Sequence, residues 1–135
     1  MVRKLEDKGQ DTLKVLIVDD EPGMRQVLSI ILKREGFATV FATNGKEAFD
    51  AVFQESPHLI IMDDMMPGDP NGGEVCMMLK ENRNTRHIPV ILHSAGTRVQ
   101  SARFVHEIGA DAALTKPCPP TRMLDTIYSL LDASV

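Results

Sequence analysis

Cysteine is scarce in this chain: there are two, Cys76 and Cys118. Their separation suits no metal site, and they read as reduced thiols of a cytosolic protein. Long apolar runs are also missing, so nothing in the sequence is expected to span a bilayer. Residues 1–14 carry charges of both signs and no apolar centre, which excludes a signal peptide. Positive charge is in deficit, with 15 Lys and Arg against 19 Asp and Glu and a formal net charge of -4. Phosphate backbones are bound by clustered cations, so nucleic acid is not the expected ligand. No internal repeat or low-complexity tract interrupts the chain. What is present is 135 residues, 43% hydrophobic and 25% charged, which suits one globular domain with one sizeable core.

Residues 1–13 read as a charged tail, and the domain is expected over 14–135. Val15 to Val18 is a β-branched apolar run ending on Asp19 and Asp20, the pattern of a strand covered on both faces of a parallel sheet. Pro22 suits a helix start, Met24, Val27, Leu28, Ile31 and Leu32 share one helical face, and Gly36 ends the helix. The alternation then repeats. Ala38–Ala42 is a strand, and Asn44 opens a helix with Ala48, Val52 and Phe53 inward. Leu59–Met62 is a strand ending on Asp63 and Asp64, followed by a loop rich in Pro and Gly and a helix marked by Val75, Met78 and Leu79. Ile88–Leu92 is a strand followed by His93 and Ser94, and Val99, Ala102, Val105 and Ile108 mark a helix closed by Gly109. Ala112–Thr115 is a strand followed by Lys116 and Pro117, and a last amphipathic helix runs through Met123, Leu124, Ile127, Leu130 and Leu131. Five strand–helix alternations predict a doubly wound α/β fold, a parallel sheet with helices on both faces and right-handed crossovers.

Ligands of open α/β sheets bind at the carboxyl ends of the strands. Those ends hold Asp19, Asp20, Asp63, Asp64, Ser94 and Lys116. Converging carboxylates repel unless a cation offsets them. Oxygen donors with room for water suit Mg²⁺. A cation beside a nucleophilic carboxylate, with an ammonium and a hydroxyl at hand, is what phosphoryl transfer requires.

Four stretches carry a resemblance to a known family: KVLIVDDE at Lys14–Glu21, LIIMDDMMP at Leu59–Pro67, PVILHSA at Pro89–Ala95 and GADAALTKP at Gly109–Pro117. Together and in this order they resemble the receiver domains of response regulators, the phospho-accepting half of two-component signalling and phosphorelays. The resemblance covers about nine-tenths of the chain and implies a flavodoxin-like strand order of 2-1-3-4-5. It implies that Asp63, with Met66 and Pro67 three and four residues after it, accepts the phosphoryl group. Asp20, Asp63 and the Met65 carbonyl would bind Mg²⁺ directly, and Asp19 mainly through a metal-bound water. Ser94 would hydrogen-bond the phosphoryl group, and Lys116 would pair with one of its oxygens. Implied partners are a histidine kinase or histidine phosphotransfer protein, in the cytoplasm, with no direct contact to nucleic acid or membrane. Because such a domain catalyses its own phosphorylation and dephosphorylation, calling it an enzyme is a matter of definition.

Two departures from the family stand out. The loop Pro67–Glu74 is one residue longer than the usual pattern, and Ala113 replaces the usual aromatic three residues before the Lys. Without that ring, a phosphoryl group is expected to order the loops around Asp63 and Ser94 while altering the face made by the fourth helix and fifth strand less, unless His93 or Phe104 takes the ring's place. Asp64 is expected to be a solvated loop carboxylate, His93 a satisfied strand-end residue, Ser94 a possible helix cap as well, and the methionines core filling. The Lys116–Pro117 peptide is expected to be cis. One alternative is a degenerate receiver acting as a phosphate-independent interaction module, against which the intact polar set argues. Another is an aspartyl-phosphate hydrolase of a different fold, which would want a second Asp where Met65 stands.

Overall fold

The computed structural model describes residues 12–133. The expected tail therefore lies outside the described residues apart from Thr12 and Leu13. Leu13 already belongs to the fold, since its carbonyl accepts from Ala38 N–H at 2.9 Å and its side chain packs on the core.

Five strands alternate with five helices: β1 (Lys14–Val18), α1 (Pro22–Arg34), β2 (Ala38–Ala42), α2 (Gly45–Glu55), β3 (Leu59–Met62), α3 (Gly72–Glu81), β4 (Val90–Ser94), α4 (Ala102–Ile108), β5 (Ala112–Thr115) and α5 (Pro120–Ala133). A 3-10 turn at Arg98–Gln100 precedes α4. All four strand pairings are parallel and the order is β2-β1-β3-β4-β5, as the resemblance implied.

Successive strand side chains point to opposite faces, which divides each apolar run between two cores. Leu16, Val18, Ile60, Met62, Val90 and Leu92 face one way, beneath residues of α2, α3 and α4. Val15, Ile17, Leu59, Ile61, Ile91 and Leu114 face the other, beneath α1 and α5. The central strands are covered on both sides, so alternating polar positions are absent from them. Each buried Leu or Ile contributes about 1.5–3 kcal/mol by leaving water.

Caps hold the helix starts. The Asn44 side chain accepts from Glu47 N–H at 2.8 Å. Asn71 and Glu74 form a reciprocal capping box at 2.9 and 3.0 Å, which fixes the end of the long loop after β3. The Ser101 hydroxyl caps α4, accepting from Phe104 N–H at 3.2 Å, so the capping role considered for Ser94 belongs to Ser101.

Several side chains expected in the core are instead half exposed: Val27 at 52%, Phe53 at 46% and Met78 at 40%. Each lies at the margin of its helix's apolar stripe, and Phe53 packs against Phe49, with ring centroids 5.1 Å apart. β4 also starts two residues later than expected and runs through His93 and Ser94. Pro89 has no N–H for the ladder and sits at the strand's threshold, its carbonyl accepting from Ile60 N–H at 2.9 Å.

One glycine places α3 against the sheet. A Cβ on Gly72 would strike the Asp63 carbonyl oxygen, and would lie 2.8 Å from both the Asp63 carbonyl carbon and Asp64 Cα. Gly72→Ala is expected to lower the unfolding free energy by about 1–3 kcal/mol in urea denaturation, because backbone cannot yield as a side chain does. Gly23→Ala, where a Cβ meets nothing within 4 Å, is expected to be neutral or stabilising and serves as the control.

Candidate functional site

β1 and β3 are neighbours, so the residues that follow them arrive side by side at the carboxyl edge of the sheet. Asp63 N–H donates to the Val18 carbonyl at 2.9 Å, and Asp19 N–H to the Ala42 carbonyl at 3.1 Å, which extends the ladder into the site. Carboxylate oxygens of Asp19, Asp20 and Asp63 come within 4.8 Å of one another. Asp19 and Asp63 are buried, at 2% and 5% exposure. Asp20 is exposed, and its carboxylate engages no other side chain among the described residues.

Lys116 answers this negative charge. β5 lies two strands from β3, yet Lys116 Nζ reaches Asp19 Oδ2 at 2.8 Å and Asp63 Oδ2 at 3.0 Å, with Glu21 Oε1 at 3.7 Å. The Lys116–Pro117 peptide is cis, as expected, and the ammonium is directed inward. Burial alone would push the Lys116 pKa down, but the hydrogen bonds and charges of Asp19 and Asp63 outweigh it, and the group titrates above its ordinary value. The remaining oxygens are bound locally. Asp63 Oδ1 accepts from Met65 N–H and Asp19 Oδ1 from Glu21 N–H, both at 3.0 Å. Arg25 bonds the Asp19 carbonyl at 2.7 Å.

Ser94, at the end of β4, is fully buried, and its hydroxyl accepts from Gly96 N–H at 3.3 Å. Met65 is exposed and lies against Gly96. Between the loops after β3 and β4 is a cleft of about 650 Å³, lined among others by Asp64, Met65, Pro67, Gly96 and Arg98.

The structure corrects two expectations next to the site. Asp64 is not solvated: it is 2% exposed and accepts from Arg98 Nε at 3.0 Å, Arg98 Nη2 at 2.8 Å and Gly73 N–H at 3.0 Å. His93 is not satisfied: it is 3% exposed and its Nδ1 has no hydrogen-bond partner among the described residues. Burial, then the Lys116 charge, lowers its pKa and keeps the imidazole neutral. Sequence reasoning missed Arg98 altogether. Its partner is 34 residues away, and no periodicity or local motif marks it. The methionines also divide, with Met62 and Met123 buried while Met65, Met77 and Met78 are exposed.

Residues 15–128 match the family described as Response regulator receiver domain, and the chain belongs to that family. It is a component of two-component signalling. It is 32% identical over 123 residues to the DNA-binding response regulator MtrA of Mycolicibacterium smegmatis, a match covering 90% of this chain and 52% of that one, so the chain spans about half the length of that relative. The receiver domain of a signal transduction histidine kinase from Syntrophus aciditrophicus superposes with a TM-score of 0.81 at 34% identity, covering 90% of this chain and 92% of that one. A CheY-like receiver domain protein from Methanospirillum hungatei superposes with a TM-score of 0.84 at 26% identity, covering 92% and 97%.

Removing the ammonium leaves two buried carboxylates without their cation. Lys116→Met is expected to lower stability by about 3 kcal/mol near neutral pH, the scale of a broken buried ion pair. A raised lysine pKa means that this contribution is fully present below the ordinary value of 10.5 and is lost as pH climbs through the higher folded value. Urea denaturation of both proteins should therefore show a constant gap up to about pH 10 that narrows above it.

Proposed function

We propose that this chain is a phospho-accepting receiver unit, spanning residues 14–135, in which Asp63 takes a phosphoryl group from a phosphohistidine of a histidine kinase or histidine phosphotransfer protein. The observation that carries this reading is the geometry around Asp63: a buried carboxylate that shares one ammonium with Asp19 and lies within 4.8 Å of the Asp19 and Asp20 carboxylates.

In this reading an Asp63 oxygen attacks phosphorus in line, the P–O bond forms, and the P–N bond to the donor histidine breaks with its electron pair returning to the imidazole. Met65 N–H holds Asp63 Oδ1, so the carboxylate keeps one orientation. Lys116 offsets charge on the phosphoryl oxygens, and the Ser94 hydroxyl turns from Gly96 N–H to donate to one of them. The donor set fits Mg²⁺: all are oxygens, two of the carboxylates are buried, Asp20 is exposed and engages no other side chain among the described residues, and three carboxylates against the Lys116 ammonium leave net negative charge. Asp20, Asp63 and the Met65 carbonyl would hold the ion, with Asp19 acting through water. When bound it would supply charge neutralisation for the transferring group.

No helix among the described residues is long and apolar enough to cross a membrane. The named MtrA relatives are DNA-binding. In this protein, with a net charge of -4, the receiver unit itself is not expected to touch DNA. The phosphate-independent alternative gains no support from a polar set that is complete, with Lys116 bonded to both Asp19 and Asp63.

Two outcomes test the reading. Titration with Mg²⁺ should move the amide signals of Asp19, Asp20, Asp63 and Met65 saturably, and changes scattered over the surface without these would refute the cation site. Incubation with acetyl phosphate and Mg²⁺ should add one phosphoryl mass to wild type and to Asp64→Asn but none to Asp63→Asn. Label lost in Asp64→Asn and kept in Asp63→Asn would move the acceptor to the neighbouring residue.

A further inference from the structure

Asp64 is joined by a peptide bond to Asp63, yet its surroundings are separate and unusually complete. Three donors saturate a carboxylate that water does not reach: two from the Arg98 fork and one from Gly73 N–H in the first turn of α3. The guanidinium in turn stands 4.2 Å from the centroid of the Phe104 ring on α4. These groups meet at one point. A Cβ on Gly73 would lie 2.9 Å from Asp64 Oδ1, 3.2 Å from Arg98 Nη2 and 3.2 Å from Phe104 Cζ. The loop after β3, the 3-10 turn after β4, the start of α3 and the body of α4 are thus pinned together beside the proposed acceptor.

We propose that Asp64, Arg98 and Phe104 form a clasp that transmits phosphorylation of Asp63 to α4. The inference rests on the reading of Asp63 as the acceptor. A buried carboxylate does not part from its counter-charge without a large penalty, so Asp64 and Arg98 move as a unit. Any adjustment of the Asp63–Asp64 segment when a phosphoryl group arrives therefore displaces Arg98, and through it the ring on which the guanidinium is stacked. The geometry also separates the two side chains considered as substitutes for a ring at Ala113. His93 follows Ile91 onto the α1–α5 side of the sheet, whereas Phe104 packs at the margin of the same core cluster as Ala113. Arg98 is half exposed in the cleft, so the pair has room to shift together.

The test compares amide spectra with and without beryllofluoride and Mg²⁺, an acyl-phosphate mimic, for wild type, Arg98→Gln and Phe104→Leu. Wild type should change at Asp19, Asp20, Asp63 and Ser94 and along residues 98–108. Both variants should keep the changes at the site and lose those along residues 102–108. A second measurement needs no ligand: urea unfolding of Asp64→Asn, Arg98→Gln and the double variant should give non-additive losses, since either single change breaks the same interaction. Arg98→Lys should not restore the α4 response, because an ammonium lacks the planar fork. Undiminished α4 changes in Arg98→Gln and Phe104→Leu would overturn the clasp. So would a wild type that responds at Asp63 and Ser94 but not along α4, or additive losses in the unfolding cycle. A wild type with no response at Asp63 would instead bring down the acceptor reading and this inference with it.

Discussion

Three carboxylates converge at one edge of this sheet, and a single ammonium holds the arrangement together. Lys116 is bonded to Asp19 and Asp63 at once, at 2.8 and 3.0 Å. Asp19 follows β1, Asp63 follows β3 and Lys116 follows β5, so the contact closes across strands far apart in sequence. Without it, two buried like charges would face one another at low dielectric. The parallel topology is what makes the contact available, because every strand delivers its carboxyl end to the same edge and each crossover helix returns the chain to the opposite edge. The same constraint leaves the site short of positive charge, and in the proposed reading that shortage is what a dication would offset.

The fold was largely legible because its strands are continuous apolar runs punctuated by Gly, Pro and acidic residues, a pattern few other architectures produce. The positions of Asp19, Asp20, Asp63, Ser94 and Lys116 were legible for a topological reason: once a run is read as a parallel strand, the residue after it lies at the binding edge. Errors arose where a local signal was weak or a distant partner decided the outcome. Val27, Phe53 and Met78 satisfy a helical period but sit at the stripe's margin, and the period alone does not define the width of the buried face. The apolar run alone starts β4 at Ile88, two residues early, because hydrophobicity does not register the missing N–H of Pro89. The unpartnered Nδ1 of His93 is invisible in the sequence, which carries no record of which polar atoms lack partners.

Asp63 and Asp64 show most clearly what sequence leaves open. They are identical in type and adjacent, and composition treats them alike. The structure gives them opposite fates, because consecutive residues at a strand end project to different sides. Asp64 receives three donors, two of them from one arginine, and its side chain is buried. Asp63 receives one backbone donor and a share of a lysine, and it borders other carboxylates. A saturated carboxylate with its own counter-ion is a poor nucleophile and a poor metal ligand, since either role would require surrendering bonds already made. One whose neighbours repel it gains when a cation or an electrophile arrives. In the proposed reading, the distinction between structural and reactive acid in this pair therefore lies in how many donors each side chain has already found, and an arginine 34 residues downstream supplies the difference.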